Sequence, residues 1–357
     1  MDYDSYPYSD SSDGNYSLPS NPDRKTGPIG VAIFSIFGIL GNLSIIYLVL
    51  RHKKLRNAPN ILIINLTVGD LLYILSAAPL FIEKELNPQW QSTELTCKLK
   101  AYVEDAGQSM CVFSLAALSR ERYLAIVRGI ETRRRRGSCS ANSLCAAAVV
   151  VTASLLLAVP AFIFTTYLAD ANYCNQLPLD LRFKKAFVTV RFVLGYVIPL
   201  NIVAGYYIRI AHSLYKSIEQ FGNSESHVQQ SRLRKRLAMI VLFITVLFAI
   251  FWLPHFVHLH LKAYAPGELT MLEIYPSPMD YLRIVSFLME LTNSCTNPWI
   301  IFIMSSKHRQ HCCLFQFMCN KGNFRRGQGR GTMRLTTLTA VGTTRRTSGN
   351  VSQMSHV

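Results

Sequence analysis

An all-α fold, a bundle of seven membrane-spanning helices, is the fold class that this sequence predicts. Half of the 357 residues are hydrophobic and 16% are charged, and the apolar residues come in seven long blocks. A helix needs about 20 apolar residues to cross a bilayer, and each block reaches that length. The connecting segments alternate between strongly basic and less basic ones, as expected for loops on opposite sides of a membrane.

The blocks define the predicted spans, which in chain order are residues 28–50, 59–82, 98–127, 142–167, 186–212, 236–263 and 280–304. A helix suits each block because it satisfies its own backbone hydrogen bonds inside lipid. The third and seventh spans are less apolar than the others because each carries several polar side chains, which are Glu104, Asp105, Gln108, Glu290, Asn293 and Asn297. Ionisable residues within spans are costly and usually functional, so these spans hold the first candidate site residues.

Three further segments surround the seven-transmembrane domain at residues 28–304. Residues 1–27 are acidic and rich in tyrosine, which predicts a disordered tail. Residues 305–320 predict a short amphipathic helix lying on the membrane. Residues 321–357 are rich in Gly, Arg and Thr and are expected to be disordered.

The charge distribution predicts the orientation of the chain. The formal net charge is +16, and most Lys and Arg fall on one side, in residues 51–56, 128–137, 209–236 and the C-terminal tail. The positive-inside rule places the C-terminus in the cytoplasm and the N-terminus outside the plasma membrane. This basic surface would attract anionic membrane lipid and an acidic partner. Nucleic-acid binding is not predicted, because no soluble basic module is present.

The cysteines and modification motifs fit this orientation. Cys97 and Cys174 fall on the oxidising outer side, where a bridge would pin the loop between spans four and five to span three. The predicted modifications are N-glycosylation at Asn15 and palmitoylation at Cys312, Cys313 and Cys319. Tyr3, Tyr6 and Tyr8 stand beside acidic residues and resemble sulfation sequences; an unmodified tail is the alternative.

Two spans carry polar groups in a pattern that indicates function. Asp70 lies centrally in span two, where a carboxylate needs a cation or several hydrogen-bond donors. Glu290, Asn293 and Asn297 share one face of span seven, at spacings of three and four. The alternative for the asparagines is that they only hold helices together.

Spans three and six each carry a further landmark. Glu104 and Arg122 are five helical turns apart and therefore lie on one face of span three, at its outer and inner ends. In span six, Pro254 interrupts the hydrogen-bond ladder, so we expect a kink beside Trp252.

The chain resembles the rhodopsin class of G-protein-coupled receptors over about residues 28–320. The motifs that carry the resemblance, in order, are GN at 41–42, LTVGD at 66–70, Cys97, ERY at 121–123, Cys174, Pro199 with Tyr207, FWLP at 251–254 and NP at 297–298. The stretches RNAPNILIINLTVGDLL and LTNSCTNPWIIF are similar to those of bombesin-type neuropeptide receptors, including the insect CCHamide receptors.

The resemblance implies an activation mechanism. Arg122 would hold the inner ends of the helices closed with Glu121 as its local partner, and Tyr207 would help to hold the open form. The opened cleft would admit the C-terminal helix of a Gα subunit. The residues that this mechanism assigns to the switch are Glu121, Arg122, Tyr123, Tyr207, Trp252, Pro254, Asn297 and Pro298. The alternative is a simple surface salt bridge between Glu121 and Arg122.

The resemblance also implies a sodium site at Asp70, Asn293 and Asn297. Cys111 stands where many members have a serine beside the aspartate, which puts the sodium affinity in question. No other cofactor is expected.

The ligand pocket is expected at the outer ends of the spans. Lys262 replaces an arginine that bombesin-type receptors use, Arg283 lies one turn outward from Phe287, and Glu104, Asp105 and Glu290 add negative charge that favours a cationic ligand. The residues expected to complete the pocket are Gln108, His255, His258, Phe256, Tyr281 and Phe287. For His258 and His260, an orientation towards lipid headgroups or water is the alternative.

The sequence therefore predicts a receptor for an extracellular neuropeptide with a basic group, acting through heterotrimeric G proteins, on the phospholipase C branch by family resemblance. The alternatives are a biogenic-amine receptor and an arrestin-only or scavenging receptor. RRTS at 345–348 and nearby threonines predict contacts with receptor kinases and arrestin, and the C-terminal Ser355-His356-Val357 resembles a PDZ ligand. An enzyme is not predicted, because no nucleophile–base pair or metal set is found.

Overall fold

A computed structural model of the chain describes residues 26–87, 91–127, 139–169, 173–220, 225–265 and 278–305. Within these ranges the chain forms seven long helices. They are α1 (Thr26–Arg51), α2 (Ala58–Leu86), α3 (Glu94–Val127), α4 (Cys139–Phe164), α5 (Leu181–Phe192 and Ile198–Gln220, joined by a π-helical turn at Val193–Val197), α6 (Glu225–Tyr264) and α7 (Pro278–Met304). A 3₁₀ turn, Lys53–Leu55, precedes α2, and two short strands, β1 (Thr166–Leu168) and β2 (Tyr173–Asn175), lie between α4 and α5.

The seven predicted spans are confirmed as helices. Several of these helices continue beyond the apolar span into polar residues. The side chain of Asn57 accepts from the backbone N–H of Asn60, 3.2 Å away, at the start of α2. Asp180 caps α5 in the same way through the N–H of Phe183, at 2.8 Å. Both caps satisfy backbone donors that a helix start leaves without partners.

The predicted outer end of span four is wrong. Helix α4 ends at Phe164, and Thr166–Leu168 instead forms β1, which pairs antiparallel with β2 so that Tyr167 lies opposite Cys174. Consecutive β-branched threonines favour a strand, and β2 supplies the hydrogen bonds that a longer helix would have made.

Five helices, α1, α2, α4, α5 and α6, are long and apolar enough to cross a membrane. The other two, α3 and α7, are those in which the sequence places polar residues. Helix α3 is buried along most of its length, so its polar side chains meet neighbouring helices. On the outside of the bundle, large apolar side chains such as Ile33, Leu156 and Ile208 are more than half exposed. Lipid is the solvent that suits such a surface.

Helix α5 changes its winding at the π-helical turn. The N–H of Ile198 donates to the carbonyl of Val193, five residues earlier, and Pro199 follows without a donor. Tyr196 within the turn donates its hydroxyl to the carbonyl of Ala249 in α6, 2.7 Å away. The turn therefore links α5 to α6 close to Pro254, the proline inside α6.

Helices α2 and α3 approach closely at two glycines. A Cβ atom on Gly107 would lie 2.8 Å from the carbonyl oxygen of Gly69, and one on Gly69 would lie 2.8 Å from that of Gly107. Both neighbours are backbone atoms, which cannot move aside as a flexible side chain can.

Gly107→Ala is expected to destabilise the protein by about 1–3 kcal/mol, the usual cost of overpacking, because α2 and α3 must separate. Thermal unfolding of the purified protein would measure this. The matched control is Gly205→Ala, since a Cβ there has nothing within 4 Å. Equal unfolding temperatures for the two variants would contradict the close approach.

Candidate functional site

A cavity of about 250 Å³ lies between α2, α3, α6, α7 and strand β2. We call this end of the bundle, which holds Cys97 and Cys174, the outer end, and the end that holds Arg122 the inner end. The predicted disulfide between Cys97 and Cys174 is present, with the two Cα atoms 5.5 Å apart. It fixes β2 to the start of α3 and so forms one wall of the cavity.

Most of the predicted ligand residues line this cavity. They are Glu104, His255, His258, Lys262, Arg283, Phe287 and Glu290. The ring of Phe287 stacks on Phe81 of α2, with the ring centroids 4.5 Å apart.

Other predicted pocket residues lie elsewhere. Asp105 and Gln108 are 5% and 3% exposed within the bundle and do not line the cavity. Phe256 packs against Phe192 and Tyr196 of α5, and Tyr281 is 58% exposed. Helical periodicity places residues on a face, but only the rotation of each helix decides which neighbour that face meets.

The three predicted acidic residues do not form an uncompensated cluster, contrary to expectation. Both carboxylate oxygens of Glu104 contact Nζ of Lys100, at 2.8 and 2.9 Å, and Gln176 Nε2 lies 3.5 Å from Oε2. Lys100 precedes Glu104 by four residues on the same helix, a spacing at which side chains commonly pair. That spacing was a signal that sequence reasoning missed.

Asp105 faces α5 and forms an ion pair with Arg191. The side chains are 5% and 11% exposed, respectively, and the guanidinium also lies 5.4 Å from the ring centroid of Phe187. Arg191 was not singled out from the sequence, although a charged residue inside a span indicates a partner.

Glu290 joins three helices. The hydroxyl of Tyr73 in α2 donates to its Oε2, 2.6 Å away, and Nδ1 of His255 in α6 lies 2.9 Å from its Oε1. Both partners line the cavity with Glu290. The sequence indicated Glu290 and His255 but gave no sign of Tyr73.

At the inner end, Glu121 contacts Arg120. Oε1 of Glu121 lies 3.5 Å from Nη1 of Arg120, an exposed residue, whereas Arg122 is only 8% exposed. No direct ion pair joins Glu121 to Arg122 among the described residues, but Glu121 acts on Arg122 as a nearby negative charge, so their partnership stays a prediction.

The other predicted switch residues lie along the helices that meet at the bundle axis. Tyr207 donates its hydroxyl to the carbonyl of Ala238, 2.6 Å away, which joins α5 to α6. The ring of Tyr123 lies 5.5 Å from that of Tyr206. Trp252 is 2% exposed, and Pro254 and Pro298 each lie within their helices.

Asp70 is fully buried at mid-bundle. Its Oδ2 accepts from the amide of Asn297 at 2.9 Å, and Cys111 Sγ lies 3.4 Å from its Oδ1. Among the described residues, Oδ1 of Asn293 and Oδ1 of Asn297 are buried without a hydrogen-bond partner. These amide oxygens and the carboxylate are hard donors of the kind that suits an alkali cation.

Several predictions fall on residues that the structure does not describe. They are glycosylation at Asn15, sulfation at Tyr3, Tyr6 and Tyr8, palmitoylation at Cys312, Cys313 and Cys319, and the helix and tail beyond Ser305.

The chain matches one protein family and is similar to several receptors. Residues 41–301 match the family model described as 7 transmembrane receptor (rhodopsin family). The neuropeptide CCHamide-1 receptor of Drosophila melanogaster is 29% identical over 86% of this chain, which spans 63% of that receptor's length. The bombesin receptor subtype-3 of Ovis aries is 29% identical over 82% of the chain and 75% of the receptor. The galanin receptor type 1 of Homo sapiens is 30% identical over 84% of the chain and 87% of the receptor.

Proposed function

Because the chain belongs to the rhodopsin family of seven-transmembrane receptors, we propose that it is a plasma-membrane receptor for an extracellular peptide, signalling through heterotrimeric G proteins. The observation that carries this proposal is the cavity at the outer end, walled by four helices and a disulfide-pinned strand. The similar proteins named above are receptors for peptides by name. The basic segments beside the inner ends support a cytoplasmic face there.

The downstream partners follow from the same proposal. Arg122 lies at the inner end of α3, where a G protein would engage the opened bundle. We place the receptor on the phospholipase C branch, so inositol phosphate release is the expected signal. Arrestin, receptor kinases and a PDZ protein would contact the C-terminal tail, and anionic lipid would contact the basic inner surface.

The proposed peptide carries a basic group, and Glu104 is the residue proposed to meet it. The side chain of Glu104 is 16% exposed and lines the cavity. Since Lys100 already contacts both oxygens, a ligand cation must displace or share that lysine. This requirement favours a guanidinium, whose planar fork can contact both carboxylate oxygens at once.

The test is G-protein dissociation in cells that express the chain, challenged with a library of amidated neuropeptides. Glu104→Gln is expected to lower the potency of an activating basic peptide about tenfold, equivalent to about 1.4 kcal/mol. Glu85→Gln is the matched control, because Glu85 lines the same cavity and undergoes the same chemical change.

Each outcome of this test is informative. Equal potency of the peptide on wild type and on Glu104→Gln would support the receptor function but refute the proposed role of Glu104. Recruitment of arrestin without G-protein release would replace the signalling proposal with a scavenging receptor.

We also propose that sodium binds at Asp70, with Asn293 and Asn297 as neighbouring ligands. Cys111 supplies a soft thiol instead of a hydroxyl, which favours weak binding. Exchanging sodium for choline should lower the unfolding temperature of the purified receptor. The effect is about 0.4 kcal/mol when the sodium concentration equals its Kd. The Asp70→Asn variant should show no such difference, and an unchanged sodium dependence in that variant would contradict the site.

A further inference from the structure

A hydrogen-bonded bridge joins three helices at the floor of the outer cavity. We call it the Glu290 bridge; it consists of Tyr73 in α2, His255 in α6 and Glu290 in α7. The carboxylate of Glu290 accepts on both oxygens, from the Tyr73 hydroxyl at 2.6 Å and from His255 Nδ1 at 2.9 Å. A carboxylate in this position only accepts, so Nδ1 carries the proton in this contact. The bridge therefore crosslinks helices that are far apart in the sequence.

Two residues of the Glu290 bridge contact the ring of Trp252. The ring of Tyr73 meets that of Trp252 edge-on with centroids 5.5 Å apart, and the His255 ring does the same at 5.6 Å. Below it, Phe248 of the same helix stacks on Trp252 at 5.8 Å. Tyr73 and His255 thus both pack against the indole of Trp252. This contact lies just before Pro254, where α6 lacks a backbone donor.

The bridge occurs together with joined inner ends of α5 and α6, which we define as the closed arrangement although the resemblance gave Tyr207 a role in the open form. Arg122 is 8% exposed, and Tyr207 ties α5 to the inner half of α6 through Ala238. An outward swing of α6 about Pro254 would have to release contacts on both sides of the kink. On the outer side, the contact between His255 and Glu290 links α6 to α7.

The bridge is also accessible to a ligand. All three of its residues line the cavity, and the side chain of His255 is 19% exposed. Its second nitrogen, Nε2, is buried and has no hydrogen-bond partner in the described part of the chain. A guanidinium or ammonium group has only donors, and these can replace both the tyrosine hydroxyl and the imidazole on the Glu290 carboxylate.

We propose that the Glu290 bridge is a latch that keeps α6 in the closed arrangement, and that a cationic group of the ligand opens it by taking Glu290 from His255. The role of a ligand and of a downstream signal rests on the proposed function. The latch itself does not. It assigns Glu290 to the holding of α6 and leaves ligand capture at the cavity mouth to Glu104.

Two other charged pairs of the outer half do not meet the same conditions. Glu104 pairs with Lys100 on its own helix, so breaking that pair frees no helix from another. Asp105 and Arg191 do join two helices, but they lie outside the cavity lining and involve neither α6 nor α7.

The latch can be tested without peptide or G protein by measuring the distance between the inner ends of α4 and α6. Cys145, an exposed native cysteine of α4, and Met239→Cys in α6, where the methionine is 56% exposed, would each carry a spin label. Cys139, Cys312, Cys313 and Cys319 would be replaced by serine. Double electron–electron resonance on the purified receptor in lipid nanodiscs then reports the fraction of molecules with α6 swung outward.

Glu290→Leu and His255→Phe should each raise the outward fraction at least threefold, and the double variant should rise no further, because one bridge is lost in every case. Tyr73→Phe deletes a single oxygen and should give a smaller rise, which keeps the test open if a larger change prevents folding. Glu85→Leu, the matched control from the same cavity, should leave the distances unchanged.

The proposal is overturned if the outward fraction stays at the wild-type level in both single variants, if the two effects add, or if Glu85→Leu gives the same rise. An outward shift without G-protein turnover in cells would instead retain the latch and refute the proposed signalling function.

Discussion

Replacing Arg191 by methionine is expected to lower the free energy of unfolding by about 3–5 kcal/mol, the usual cost of breaking a buried ion pair. The substitution leaves the Asp105 carboxylate, 5% exposed, without its cation, and Oδ2 of that carboxylate already has no hydrogen-bond partner among the residues that the structure describes. Thermal unfolding of the purified receptor would measure the change.

The controls distinguish loss of the pair from loss of a long side chain. Arg209→Met makes the same change at an exposed position of the same helix and should have little effect. Adding Asp105→Asn to Arg191→Met should recover part of the loss, since the unpaired charge is removed as well. A double variant less stable than either single variant would show that the two residues contribute independently.

Cys97→Ser is expected to destabilise the outer end by about 4.5 kcal/mol, the chain-entropy value for a loop of this length, since the sequence separation between Cys97 and Cys174 is 77. The cavity should suffer most, because β2 is held to α3 by this bond. Cell-surface level and thermal unfolding are the readouts, with Cys145→Ser at an exposed free cysteine as the control. Cys97→Ser and Cys174→Ser should each match their double variant, because all three lack the same bond; a further loss in the double variant would argue for separate roles.

The sequence was sufficient for the spans and for several of the residues that line the cavity, because both depend on local signals. Apolar blocks of membrane length predict helices regardless of what surrounds them. Ionisable residues in spans marked Asp70, Glu104 and Glu290 as unusual before any neighbour was known.

The partners of these residues were harder to predict, because pairing depends on how each helix is rotated. Asp105 was expected in the pocket with Glu104, although adjacent residues on a helix point about 100° apart. One of them faces the cavity and the other faces Arg191. Tyr73 carried no sequence signal because tyrosine in a span is unremarkable until a carboxylate is found beside it. The end of α4 was missed for a similar reason, since Thr166 forms a strand only because β2 is there to pair with it.

The π-helical turn at Val193–Val197 sets the rotational phase of the outer half of α5. A π turn holds one more residue than an α turn, so every side chain before it is displaced by about 100° relative to an uninterrupted α-helix. Arg191 lies two residues before the turn and points at Asp105 with this displacement included. Without the extra residue, the same sequence would direct that guanidinium to another side of the helix. The width of a single turn therefore decides whether α5 presents a cation to the bundle interior or to lipid.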